Sequence, residues 1–204
     1  MNTRTLEHTA LIPATFPLDT ATRRALAVAL GAAFVALLAQ AAVRLPWTPV
    51  PVTGQTLGVL LVGAALGRRL GAQTLVVYLA AGTAGLPVFA GGGAGPGWLL
   101  GPSGGYLLAF PLAAGLTGAL VERFGSDRRF PTALAAMLAA SAVIYALGLA
   151  GLAAWLAAAG RGVGLSELLA MGLYPFLAGD LLKALLAAGL LPAARGLVHR
   201  WGRV

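Results

Sequence analysis

The 204-residue chain is 59% hydrophobic and 10% charged, with a mean hydropathy of +0.87 and a net charge of +8. A soluble domain needs far more polar surface than this composition supplies, so the chain reads as lipid-embedded. It has no cysteine and only two histidines, His8 and His199, near opposite termini, so it offers no disulfide, no thiol chemistry and no basis for a metal site.

Residues 1–22 are expected to be a flexible leader, followed by a single membrane domain over 23–200. The first apolar run, "TRRALAVALGAAFVALLAQA", resembles a secretory signal, with paired arginines and a small-residue "AQA" at 39–41. It continues to Val43 before charge returns, long enough to span, and is read as an uncleaved first span. Apolar runs fall near 25–43, 54–67, 71–86, 104–121, 132–159 and 174–194. A spanning helix takes about 20 residues at about 1.5 Å each, and the short second and third runs fit tilted helices in a tight hairpin. The expected fold is therefore an all-α integral membrane protein with six transmembrane helices.

Arginine placement sets the expected orientation. With the N-terminus inside, the inner segments hold Arg4, Arg23, Arg24, Arg68, Arg69, Arg123, Arg128, Arg129, Arg195, Arg200 and Arg203. The outer loops hold Arg44 and Arg161. This bias puts both termini in the cytoplasm and accounts for the positive charge. No basic, aromatic-interleaved stretch points to nucleic acid. Three unusual loops then face outward: the proline-rich strap "RLPWTPVPVTGQT" (44–56), the glycine-dense "GLPVFAGGGAGPGWLLGPSGGY" (85–106), and a third that includes "GRGVGLSELLAMGLY" (160–174). Pro46, Pro49 and Pro51 favour a stiff, extended strap.

Within "PFLAGDLLKALLAAGLL" (175–191) stand Asp180 and Lys183, the latter the only lysine. At i,i+3 they share a helix face. If the span starts near Tyr174, Asp180 lies about 9 Å along it. Ionisable groups inside a span are costly and face a cavity or pathway, so ligand binding is the reading preferred over a purely structural ion pair.

"GPSGG" (101–105) matches G-x-S-x-G around Ser103 and raises the alternative of a rhomboid-like intramembrane serine protease. The histidine near the last span, His199, lies past its inner end, about 30 Å from Ser103, whereas a nucleophile and its base need about 3 Å. Ser103 is expected instead to donate a hydrogen bond to a ligand approached by the glycine backbone. No Walker A motif is present, because Lys183 follows leucine in "DLLK", so any ATP is hydrolysed by another subunit. Small residues recur every four positions at Ala25, Ala29 and Ala33, with Ala32 and Ala36 beside them, and at Gly63, Gly67 and Gly71. Either stripe could dock a partner or pack internally.

The blocks "PVPVTGQTLGVLLVGAALGRRLGAQTLVVYLAAGTAGLPVFAGG", "LLGPSGGYLLAFPLAAGLTGAL" and "FLAGDLLKALLAA" together resemble the BioY family, the biotin-binding S components of energy-coupling-factor (ECF) transporters. The likeness covers roughly residues 25–192; Ser103 stands where the family often has threonine. It implies a six-helix protein of the bacterial cytoplasmic membrane, with an outward pocket roofed by the first outer loop. It also implies a transmembrane coupling subunit and two cytoplasmic ATPases as partners, no cofactor, biotin as transported ligand, and no enzymatic activity. Pocket residues implied by the matching blocks are Asp180, Lys183, Phe89, Gly91, Gly92, Ser103 and Tyr106, with Gln55 where the strap returns to the second span. Asp180 can accept from the ureido N–H groups of biotin and Lys183 can attract its carboxylate or carbonyl; the sequence leaves open which residue meets which end. An S component for another vitamin would share the fold. The Ala25, Ala29 and Ala33 face is the expected docking surface.

Overall fold

The computed structural model describes residues 10–15 and 18–201. Arg4, His8 and Arg203 lie outside the described residues, as does half of the leader. The part of the leader that is described contains a short helix, α1 (Leu11–Thr15), and Ala10 is buried beside Gly67. The chain continues through α2 (Ala21–Gln40), α3 (Gln55–Thr83), a 3₁₀ turn (Ala90–Gly92), α4 (Gly97–Leu100), α5 (Gly104–Phe124), α6 (Phe130–Ala158), α7 (Leu165–Gly172) and α8 (Tyr174–Trp201). Among the described residues, five helices are long and apolar enough to cross a membrane: α2, α3, α5, α6 and the 174–194 part of α8. Leucines such as Leu30, Leu37, Leu112 and Leu190 stay more than half exposed on their outer faces, as a lipid-facing bundle requires.

The local chemistry explains where these helices begin and turn. Thr20 caps α2 by accepting from the Arg23 amide at 3.3 Å, and Asp19 pairs with the Arg23 side chain at 2.8 Å. Gly125, at φ 59°, ends α5 in the left-handed conformation that glycine adopts without penalty.

The helix α3 is not straight. Gly67 leaves helical geometry at φ 83°, ψ −179°, and the chain reverses there. A Cβ placed on Gly71 would lie 2.9 Å from the Cα of Gly63, so residues eight apart in sequence touch. The two arms, 55–66 and 68–83, are about 18 and 24 Å long at 1.5 Å per residue. The apolar runs at 54–67 and 71–86 correspond to these arms, and the paired Arg68 and Arg69 sit at their turn. Glu122 from α5 accepts from the Arg68 amide at 2.8 Å, placing a carboxylate at the start of the second arm.

This hairpin packs on α5 backbone to backbone. A Cβ on Gly63 would come 2.8 Å from the Cα of Ala114, and one on Gly118 would come 2.8 Å from the Cα of Arg68. The glycine stripe at 63, 67 and 71 is therefore internal packing, the close approach that small residues at four-residue spacing allow.

Two features differ from a reading of the third loop and the strap as plain connections. Residues 165–172 form a helix, α7, because "LSELLAM" has helical apolar spacing between Gly164 and Gly172, with Glu167 in the first turn. The strap is pinned at its base by a two-strand ribbon, in which β1 (Ala42–Val43) pairs antiparallel with β2 (Val52–Thr53).

Candidate functional site

At the end of the bundle that carries the strap, the hairpin, α5, α6 and α8 enclose a polar-centred cavity of about 50 Å³. Strap residues Val50 and Pro51 and loop residues Ala90 and Trp98 cover it; Phe110, Ile144 and Phe176 supply apolar wall. Asp180, at the first turns of α8, forms its electrostatic centre.

Asp180 and Lys183 pair at 2.7 Å with side chains only 11% and 16% exposed, an arrangement too costly to leave without further partners. Those partners are present. Asp180 Oδ1 also accepts from Thr56 Oγ1 at 2.9 Å, and Oδ2 accepts from the Tyr145 hydroxyl at 2.6 Å. Three donors from three elements thus occupy the carboxylate. Lys183 spends one of its three N–H donors on Asp180 and makes no other hydrogen bond among the described residues. The ammonium is the charged donor with spare hydrogen-bonding capacity in this cavity.

A second network fixes the roof. Gln55 Nε2 donates to the Tyr78 hydroxyl at 2.6 Å, which in turn donates to the Val88 carbonyl at 2.9 Å. Thr53 Oγ1 donates to Gln55 Oε1 at 2.9 Å. This chain ties the strap, both hairpin arms and the glycine loop together. On the other side, Thr48 Oγ1 donates to the Met171 carbonyl at 2.6 Å and the Tyr106 hydroxyl donates to the Gly172 carbonyl at 2.6 Å. Glycine at 172 makes room for that hydroxyl, since a Cβ there would lie 2.7 Å from it.

The structure brings Asp180, Lys183, Gln55, Ser103 and Tyr106 to the cavity wall. Ser103 is nearly buried and its hydroxyl makes no hydrogen bond among the described residues, including no cap at the start of α5. Phe89, Gly91 and Gly92 do not line the cavity. Phe89 is fully buried, edge-on to Tyr78 at 5.6 Å and tilted against Trp98 at 6.0 Å, in a slot left open by Gly82. Gly91 and Gly92 are exposed and take φ of 61° and 79°, so they bend the loop that delivers Phe89. Sequence reasoning missed Tyr145, Thr56 and Trp98. Tyr145 carried a signal, a hydroxyl inside an apolar span.

Ala25, Ala29 and Ala33 are exposed along α2, whereas Ala32 and Ala36 pack on the core. The most apolar stretch of α2 is the least buried of the five, at 11% against 33–56% in the others.

A sequence profile of the BioY family matches residues 7–200. The chain is 38% identical over 159 residues to a probable biotin transporter BioY of Pyrococcus horikoshii, covering 77% of this chain and 88% of that one. It is 41% identical over 146 residues to the biotin transporter BioY of Rhodobacter capsulatus, covering 66% and 73% respectively. Its fold is similar to a crystal structure of the S-component for biotin from an ECF-type ABC transporter. That likeness has a TM-score of 0.75 and 26% identity, covering 86% of this chain and 92% of that one.

Proposed function

The chain belongs to the BioY family, and from that premise we propose that it is the membrane subunit that captures biotin from the outer face for vitamin uptake. It is a transporter component and not an enzyme; Ser103 serves as a hydrogen-bonding group. The observation that carries the reading is the cavity at the strap end, where Asp180 is held by Thr56, Tyr145 and Lys183 while Lys183 keeps two donors free. Lys183 meets an acceptor of biotin, its carboxylate or ureido carbonyl. Asp180 holds Lys183 and Tyr145 in place, and Ser103 and Tyr106 complete the wall.

The reversal at Gly67 supports six crossings, with the two arms of α3 as the second and third. Arginine bias supports both termini in the cytoplasm and the strap outside, in the cytoplasmic membrane of a bacterium. Cysteines at Trp47 and Arg129, both exposed at opposite ends of the bundle, should label from opposite sides of the membrane; labelling of both from one side contradicts this topology. Energy comes from a transmembrane coupling subunit with two cytoplasmic ATPases, docked on the exposed Ala25, Ala29 and Ala33 face.

Thermal-shift screening of the purified chain against a panel of vitamins tests the substrate. Biotin alone should raise the melting temperature at micromolar concentration. A larger shift by a different vitamin would assign the same fold to another substrate.

A further inference from the structure

A second cavity, of about 640 Å³, lies between the strap and the glycine loop on the outward side of the biotin site. It shares Pro51, Trp98 and Ser103 with the inner cavity, so one wall of three residues separates the two. Small-molecule sites usually measure about 300–1,000 Å³. The outer cavity falls in that range, and the inner one, at about 50 Å³, falls below it. Arg44 lines the outer cavity, is exposed, and makes no salt bridge or hydrogen bond among the described residues. In the proposed orientation, Arg44 and Arg161 are the arginines of the outer loops; the acids on that side are the exposed Glu167 of α7 and Asp180, which is paired with Lys183 in the inner cavity.

We propose that this outer cavity is an antechamber in which Arg44 attracts the carboxylate of the incoming ligand before the ligand passes the Pro51–Trp98–Ser103 wall. The inference rests on the biotin reading and deepens it by assigning a site for encounter distinct from the site of final binding. The cation stands at the mouth of a low-dielectric cleft, where its field is focused on a small anion and raises its rate of arrival. Its effect is screened by salt, with a Debye length near 30 Å at 0.01 M and 3 Å at 1 M. The contribution therefore belongs to the association rate, and the dissociation rate is set at the inner cavity.

The test is stopped-flow binding of biotin, and of its uncharged amide, to the purified full chain in a neutral detergent at low and high salt. Arg44→Gln should slow biotin association about threefold or more at low salt, leave dissociation unchanged, and match wild type at 1 M salt. Arg44→Lys should associate within twofold of wild type, which shows that charge matters rather than the fold of the strap. The amide should associate equally fast with wild type and Arg44→Gln. Equal biotin association by wild type and Arg44→Gln at low salt, or equal slowing of biotin and amide, overturns the antechamber alone. A wild-type chain that binds no biotin overturns the functional reading and this inference with it.

Discussion

The two ends of the bundle are built from the same helices and end in opposite ways. At the arginine end, the turn of the hairpin meets α5 through glycine and alanine, with Gly67 against Gly118 and Gly63 against Ala114. Backbone meets backbone at Gly63 and Gly118, the Glu122 carboxylate closes the turn, and this contact carries none of the residues that line the strap-end cavity. At the strap end the hairpin, α5, α6 and α8 present Gln55, Thr56, Tyr106, Tyr145, Asp180 and Lys183 to one another, and a cavity remains among them. Glycine serves there too, but to admit side chains: Gly148 and Gly172 lie against the Tyr106 ring and hydroxyl. In lipid, where burial supplies no hydrophobic drive between helices, close packing at one end supports the bundle while the other end gathers polar groups around a cavity, as the proposed ligand site requires.

The contrast can be broken first at the closed end. Gly63→Leu would drive a side chain into the backbone of Ala114, which cannot step aside as a flexible side chain could. Its cost should exceed the roughly 1–3 kcal/mol of ordinary overpacking, and the protein should be lost as a monodisperse species on size-exclusion chromatography. At the open end, Asp180→Ala or Lys183→Ala should leave a folded protein and cost about 2–5 kcal/mol of biotin affinity, because each removes a contact and strands the other charge. Lys183→Arg should restore only part of that affinity, since a planar fork does not replace a compact ammonium. Equilibrium binding to purified variants measures both; wild-type affinity in a folded Asp180→Ala chain would make the pair structural.

Smaller effects sharpen the division. Tyr145→Phe deletes one of three donors to Asp180 and leaves Thr56 and Lys183 in place. It should weaken biotin binding by about 1 kcal/mol, measured by the same titration. On the outer face of α2, Ala29→Trp touches neither end and should leave biotin affinity within about twofold while abolishing co-purification with the coupling subunit and ATPases. Intact assembly with lost binding would mean that this face packs internally after all.

Much of this organisation is legible in the residues. Apolar runs bounded by arginine pairs mark the helices, and the break between 67 and 71 falls at the Gly67 turn. Asp180 and Lys183 stand out because ionisable groups inside a span demand a reason. What the sequence does not expose is long-range geometry. Thr56 and Tyr145 reach Asp180 across 124 and 35 residues, and no local pattern announces that meeting. Phe89 reads as a ligand contact beside a glycine loop, yet the slot opened by Gly82, seven residues earlier, takes its ring into the interior. The two small-residue stripes look alike by spacing. Their different fates are set by packing: the reversal at Gly67 folds one stripe onto α5, while α2 packs through Ala32, Val35, Ala36 and Ala39 and leaves Ala25, Ala29 and Ala33 outside.

Lys183 gives the central claim its most direct measurement, because it is the only lysine in the chain. Reductive methylation with formaldehyde and a borohydride-type reductant modifies only this amine and the α-amino group, and mass spectrometry can follow both in one sample. If the ammonium holds biotin, saturating biotin should suppress methylation of Lys183 strongly while the α-amino group reacts at its usual rate. Equal modification of Lys183 with and without bound biotin would place the ligand elsewhere and contradict the account.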